Sequence, residues 1–204
     1  VSRSEDRAEV RHLRAALAQR ARRALERPTR AAVLMPLLFE AGPPRLLLTR
    51  RTDRVATHKG QVAFPGGYLE AADPDVIAAA LREADEEIAL PREGVEVLGM
   101  LDDLPTHDDR VAVTPVVARV HGDPALRPQA DEVARIFAIP LEELAEARRW
   151  RTEERVRAGV RWPVYFFEHE GETLWGLSAY FTMQLLAHLP AGAPFELPWG
   201  RRAP

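Results

Sequence analysis

Cysteine is absent from the 204 residues, which excludes disulfides, a thiol nucleophile and a cysteine-based zinc site. Lysine is almost absent as well. Lys59 is the single one, so positive charge rests on arginine, a compositional habit of the source before it is a functional choice. There is no basic excess: the formal net charge is −3, which argues against a general nucleic-acid-binding surface. No stretch reaches the roughly 18 consecutive apolar residues of a membrane span, and no signal peptide opens the chain. A soluble cytoplasmic protein acting on a small molecule is the expectation, with no nucleic-acid or membrane partner; the oligomeric state is left open. What is present is a 46% hydrophobic composition, enough for one sizeable core. An N-terminal helix in residues 1–28 is expected to precede a catalytic domain over 29–204.

The segment Phe64 to Leu90 organises the chain. Gly66 and Gly67 allow tight turning and close approach to a ligand. A helix follows, with Asp73 as the expected N-cap and Pro74 at its first position. Ile77, Leu81, Ala84 and Ile88 recur at helical spacing, and their stripe is expected to face away from Glu83, Glu86 and Glu87. Those glutamates stand at i, i+3 and i+4, so three carboxylates project within about one turn. Two readings compete: a solvated acidic face, or hard oxygen ligands suited to Mg²⁺ or Mn²⁺. Arg82, one turn before Glu86, is placed to hold a carboxylate by a charged hydrogen bond.

Gly67, Arg82-Glu83 and Glu86-Glu87-Ile88 resemble the Nudix box. Two departures stand out: the acid six residues after Gly67 is Asp73, followed by eight rather than seven residues before Arg82, and the closing glycine is Ala89. The insertion resembles the subgroup that hydrolyses coenzyme A. Leu47-Leu48-Thr49, Arg51, Gly60 and Phe64-Pro65-Gly66-Gly67 resemble that subgroup's second signature, LLTxR, Gly, FPGG. Thr52 stands where the signature has Ser or Ala, and Ala56 where it has Arg.

The resemblance implies an α/β protein of the Nudix fold, an α/β/α sandwich with a mixed sheet. It implies divalent ions, Mg²⁺ or Mn²⁺, held by Glu83, Glu86 and Glu87 with the Gly67 carbonyl, and Arg82 in the catalytic group. Arg51, Lys59, Gly66 and Gly67 are its candidate substrate contacts. It also implies cleavage of coenzyme A to 3′,5′-ADP and 4′-phosphopantetheine. ADP-ribose or NADH hydrolysis, and a non-catalytic Nudix-like binding module, are the alternatives.

Elsewhere the pattern is coarser. Residues 5 to 27 read as one amphipathic helix, docked or contacting another subunit, ended by Pro28. Residues 31 to 40 and 45 to 51 read as a hairpin across Gly42-Pro43-Pro44. His58 and Lys59 either meet phosphate or form a solvated pair. Strands are expected at Val95–Leu101 and Val111–Val120; Asp102, Asp103, His107, Asp108 and Asp109 between them read as a polar turn before a second metal site, since their spacing matches no calcium loop and no zinc pattern. Glu132 reads either as a fourth ligand or water-activating base, or as an ordinary acid before a strand. Arg148 to Arg157 reads as a surface segment of mixed charge. Val164 to Glu168 and Thr173-Leu174 read as a hairpin, and a last helix opens at Trp175 before a proline-bearing tail.

Overall fold

The structure is a computed structural model that describes residues 7–40, 42–55, 58–157, 160–190 and 192. Ala56, Glu5, Asp6 and most of the tail after Pro190 lie outside the described residues.

Two-residue alternation builds the centre of the molecule. Strand β1 (Thr29–Leu38) sends Ala32 and Leu34 to one face of a sheet and Ala31, Met35 and Leu37 to the other. Strand β2 (Arg45–Arg51) divides Leu47 from Leu46 and Leu48 in the same way. The sheet gains β3 (Val62–Ala63), β4 (Gly66–Tyr68), β5 (Val95–Met100), β6 (Leu104–Pro105), β7 (Val111–Val120) and β8 (Val133–Pro140). Its central order is β3-β2-β1-β7-β5, with β4 on β1, β6 on β7 and β8 on β2. Strands β1 and β7 run parallel from Thr29 opposite Val111 to Leu38 opposite Val120, and the other pairings are antiparallel, so the sheet is mixed as expected. Every residue of β7 is buried, as a central strand covered on both faces must be.

Helix α1 (Ala8–Gln19) covers one face of the sheet and α2 (Val76–Ile88) the other. Small residues let α2 lie close: Ala79, Ala80 and Ala84 pack with Ala32, Leu34 and Val116. On the α1 side lies a second, three-stranded antiparallel sheet of β9 (Trp150–Arg157), β10 (Val160–His169) and β11 (Glu172–Trp175), with a short helix α3 (Leu141–Ala145) and α4 (Gly176–Ala187).

One expectation is corrected. The N-terminal helix stops at Gln19 and does not continue to residue 27, and Arg20 is already extended. The acids after β5 take the backbone donors that a longer helix would have used: Arg23 N–H binds Asp102 Oδ1 at 2.8 Å and Leu25 N–H binds Asp103 Oδ2 at 2.9 Å. Arg20 also pairs with Asp102, and Arg22 reaches Asp103 at 3.2 Å. The helix is docked: Val10, Leu13 and Leu17 are buried in the core, each contributing about 1.5–3 kcal/mol. Arg148 to Arg157 is a surface segment as expected, and most of it is strand β9, paired along its length with β10 and exposed at Arg151, Thr152, Glu154 and Arg155.

Candidate active site

Helix α2 begins two residues later than its sequence suggests. Asp75, not Asp73, caps it, accepting from Ala78 N–H at 2.8 Å. Asp73 instead clamps Arg82, whose Nε and Nη2 donate to its carboxylate at 3.2 and 3.0 Å. Nη2 also donates to the Tyr68 carbonyl at 3.1 Å. Anchored on that side, Arg82 turns Nη1 to Glu83 and Glu86, 3.0 Å from each. Paired with Arg82, Asp73 holds its pKa below the usual carboxylate value.

The glycine segment explains how Glu83 is seated. Gly66 and Gly67 form β4 and pair with Val33 and Ala32 of β1. A Cβ on Gly66 would lie 2.3 Å from the Ala32 carbonyl oxygen, and one on Gly67 only 2.3 Å from Glu83 Oε1. Glycine at these positions therefore lets strand and carboxylate come together.

Glu87 corrects the expected helix face. It lies three residues after Ala84 and seven after Ala80, so it shares their buried side, and only 4% of it is exposed. Its Oε2 accepts from Gly66 N–H at 3.3 Å, and its Oε1 lies 3.5 Å from Arg51 Nη1. Burial pushes the Glu87 pKa up to about 7 against the opposing charge of Arg51, with Glu83 and Glu132 adding to the rise. Burial likewise raises Glu83, where Arg82 opposes and Glu86 and Glu132 assist.

Arg51 arrives where the β2–β8 ladder shifts register at a bulge in β8. Arg50 pairs with Arg135 of β8 but Arg51 with Val133, so Ala134 is an extra residue in the ladder. Bulges of this kind re-aim side chains beside active sites. Arg51 Nε is buried and has no hydrogen-bond partner. Glu132 is exposed on the turn before β8, and its charge is felt by both Glu83 and Glu87. Gln129 sets that turn against α2: its N–H donates to the Glu87 carbonyl at 2.8 Å, and its Oε1 accepts from Asp131 and Glu132 N–H. Neither Gln129 nor the Ala134 bulge carries a local sequence signal, whereas the acid nine residues before Arg82 could have been paired with it.

Lys59 is not part of this group. It lines a separate cavity with Arg50 and Gln61, and His58 Nδ1 lies 3.0 Å from Gln61 Oε1. The aspartates after β5 serve the N-terminal arm: Asp103 receives Thr114 Oγ1 at 2.7 Å and Asp109 pairs with Arg27 at 2.8 Å.

Among the described residues no three acidic or imidazole side chains converge on one point as a finished metal site. Arg82 Nη1 stands between Glu83 and Glu86. The donor set still fits a hard divalent ion, because the carboxylates of Glu83 and Glu87 are crowded at the Gly66-Gly67 backbone, and the charge of Glu83 adds to the rise in the Glu87 pKa. Arg82 Nε and Nη2 hold that side chain on Asp73 and the Tyr68 carbonyl independently of Nη1.

The NUDIX domain profile matches residues 28–160. The uncharacterized Nudix hydrolase NudL of Photorhabdus laumondii is 40% identical over 76% of this chain and 82% of its own length. The protein of that name from Pectobacterium atrosepticum is 40% identical over 80% of this chain and 84% of its own. A Caenorhabditis elegans (C. elegans) Ap4A hydrolase binary complex superposes with a TM-score of 0.47 at 19% identity, over 56% of this chain and 82% of the other. On the extent of the profile match and the identity to these relatives, the chain belongs to the Nudix hydrolase family.

Proposed function

We propose that the chain hydrolyses the phosphoanhydride of coenzyme A or its derivatives, giving 3′,5′-ADP and 4′-phosphopantetheine. One observation carries the reading: Glu83 and Glu87 meet the Gly66-Gly67 backbone, and Arg51 of the LLTxR segment reaches the same carboxylate from the neighbouring strand. The two sequence signatures thus share one site.

Glu83, Glu86 and Glu87, with the Gly67 carbonyl, would hold Mg²⁺ or Mn²⁺, which when bound would offset diphosphate charge and lower the pKa of a water. Arg51 directs its guanidinium, with the unpaired Nε, at phosphate oxygens. Arg82 positions Glu83 and Glu86 from its anchor on Asp73. Water attacks one phosphorus in line and the bridging P–O bond opposite it breaks. A carboxylate, Glu86, Glu87 or Glu132, takes the water's proton.

Turnover of coenzyme A, ADP-ribose and NADH with Mg²⁺ and with Mn²⁺, products identified by mass, tests the reading. Preferred release of 3′,5′-ADP from coenzyme A supports it. Preference for ADP-ribose or NADH would assign another nucleoside diphosphate substrate. No hydrolysis of any of them would point to a binding module.

A further inference from the structure

The segment from Arg127 to Glu132 straps the end of α2 to the end of β2. A helix end leaves its last carbonyls without intrahelical partners. Two of them are taken by this segment: Arg127 N–H donates to the Ile88 carbonyl at 3.0 Å and Gln129 N–H to the Glu87 carbonyl at 2.8 Å. At the other end Thr52, the residue after Arg51, holds two successive carbonyls. Its N–H donates to that of Glu132 at 2.8 Å and its hydroxyl to that of Asp131 at 2.6 Å. The strap is therefore fixed both to the helix that carries Glu83, Glu86 and Glu87 and to the strand that carries Arg51.

Between those anchors the chain turns, and Gln129 shapes the turn with its side chain. Oε1 accepts from Asp131 N–H at 2.8 Å and from Glu132 N–H at 2.9 Å. The Gln129 carbonyl also takes Glu132 N–H at 3.0 Å and Val133 N–H at 2.8 Å, whereas Asp131 N–H has Oε1 alone among the described residues. What the turn presents is Glu132, an exposed residue whose charge reaches both Glu83 and Glu87. No cation or hydrogen-bond donor holds its carboxylate among the described residues. The glutamates of α2 differ in this respect: Glu83 and Glu86 take Arg82 Nη1, and Glu87 takes Gly66 N–H and lies beside Arg51. A general base needs a free lone pair within reach of the water it activates. Of Glu86, Glu87 and Glu132, only Glu132 has both oxygens uncommitted.

We propose that Glu132 is the carboxylate that takes the proton of the attacking water, and that Gln129 is the positioning residue that sets it there. As the water oxygen bonds to phosphorus, its proton passes to Glu132, and the electron pair of the bridging P–O bond leaves with the departing phosphate. Gln129 touches neither substrate nor water in this scheme; its side chain acts through the peptide groups of Asp131 and Glu132. The proposal rests on the hydrolytic reading above and narrows it from three carboxylates to one.

The test is a double-mutant cycle in the full chain with Mg²⁺, each variant assayed well below its melting temperature, on whichever of coenzyme A, ADP-ribose and NADH wild type hydrolyses fastest. Glu132→Gln is expected to lower kcat about a hundredfold or more with KM unchanged, the scale of general-base catalysis. Gln129→Ala is expected to lower kcat about tenfold with KM unchanged, and Gln129→Glu, which keeps an oxygen acceptor, to recover most of that loss. Added to Glu132→Gln, Gln129→Ala is expected to cost nothing further, whereas a merely structural residue would cost the same factor in both backgrounds. Wild-type turnover in Glu132→Gln or in Gln129→Ala, or losses that multiply in the double variant, would overturn the proposal. A preferred substrate other than coenzyme A would sink the substrate assignment and leave the cycle to decide the role of Glu132; hydrolysis of none of the three would overturn both.

Discussion

Glu83 occupies the space that a side chain on Gly67 would need, with its Oε1 2.3 Å from the position of a Cβ there. Gly67→Ala must therefore displace a carboxylate and not merely strain a turn. We expect turnover to fall by about a hundredfold or more, on the scale of a misplaced catalytic group. Thermal melting should change little, because Glu83 can swing outward. Activity near wild type in that variant would show that the carboxylate's seat over the glycine is dispensable.

Glu87 makes stability depend on pH in an unusual direction. Its carboxyl titrates in the ordinary glutamate range when unfolded and at about 7 when folded, so the folded protein holds the proton more tightly. This contribution to stability is present below the lower value and is lost as pH rises through the upper one, and it amounts to about 3 kcal/mol at most. In metal-free buffer the melting temperature should fall over that interval. Glu87→Gln should flatten the profile, and saturating Mg²⁺ should oppose the fall by favouring the carboxylate. A melting temperature rising through the interval in metal-free wild type would contradict the burial argument.

Ala89 ends α2 in the left-handed region, at φ 53° and ψ 40°, where the family pattern carries glycine. Left-handed geometry costs a residue with a Cβ about 1–2 kcal/mol. Ala89→Gly should therefore raise stability by about 1 kcal/mol after the added chain entropy of glycine is offset. Denaturant unfolding would measure it, and a lower midpoint would refute the strain.

Asp103 is buried and ties the N-terminal arm to β7, receiving Arg22, Leu25 N–H and Thr114 Oγ1. Removing one partner from such a network leaves buried groups unpaired. Asp103→Ala should cost about 3–5 kcal/mol in equilibrium unfolding. A cost under about 1 kcal/mol would mean that the arm is held by its apolar residues alone.

The parts of this molecule that could be read in the chain are those with local signals. Helix α2 announces itself through its apolar spacing, β1 and β7 through long apolar runs, and the glycine segment through its signature. The parts that could not be read depend on partners far along the chain. Arg20 and Arg22 look like the continuation of a helix until Asp102 and Asp103 are folded against them, some eighty positions later. Glu87 looks like its neighbours Glu83 and Glu86, and its burial follows only from how closely the alanines bring α2 to the sheet. Asp73 and Asp75 both offer an N-cap carboxylate, and what separates them is that Asp73 is already engaged by Arg82.

The central claim is that the exposed glutamate of α2, Glu86, serves hydrolysis and not folding. Glu86 is the sharpest probe, because its side chain is 60% exposed and its ion pair with Arg82 is of the kind worth little to stability. Coenzyme A turnover in Mg²⁺ by wild type and Glu86→Gln, with melting curves recorded on the same samples, decides the matter. The account predicts a loss of about a thousandfold in kcat with an unchanged melting temperature. Turnover at the wild-type rate, or a loss that merely tracks unfolding, would contradict it.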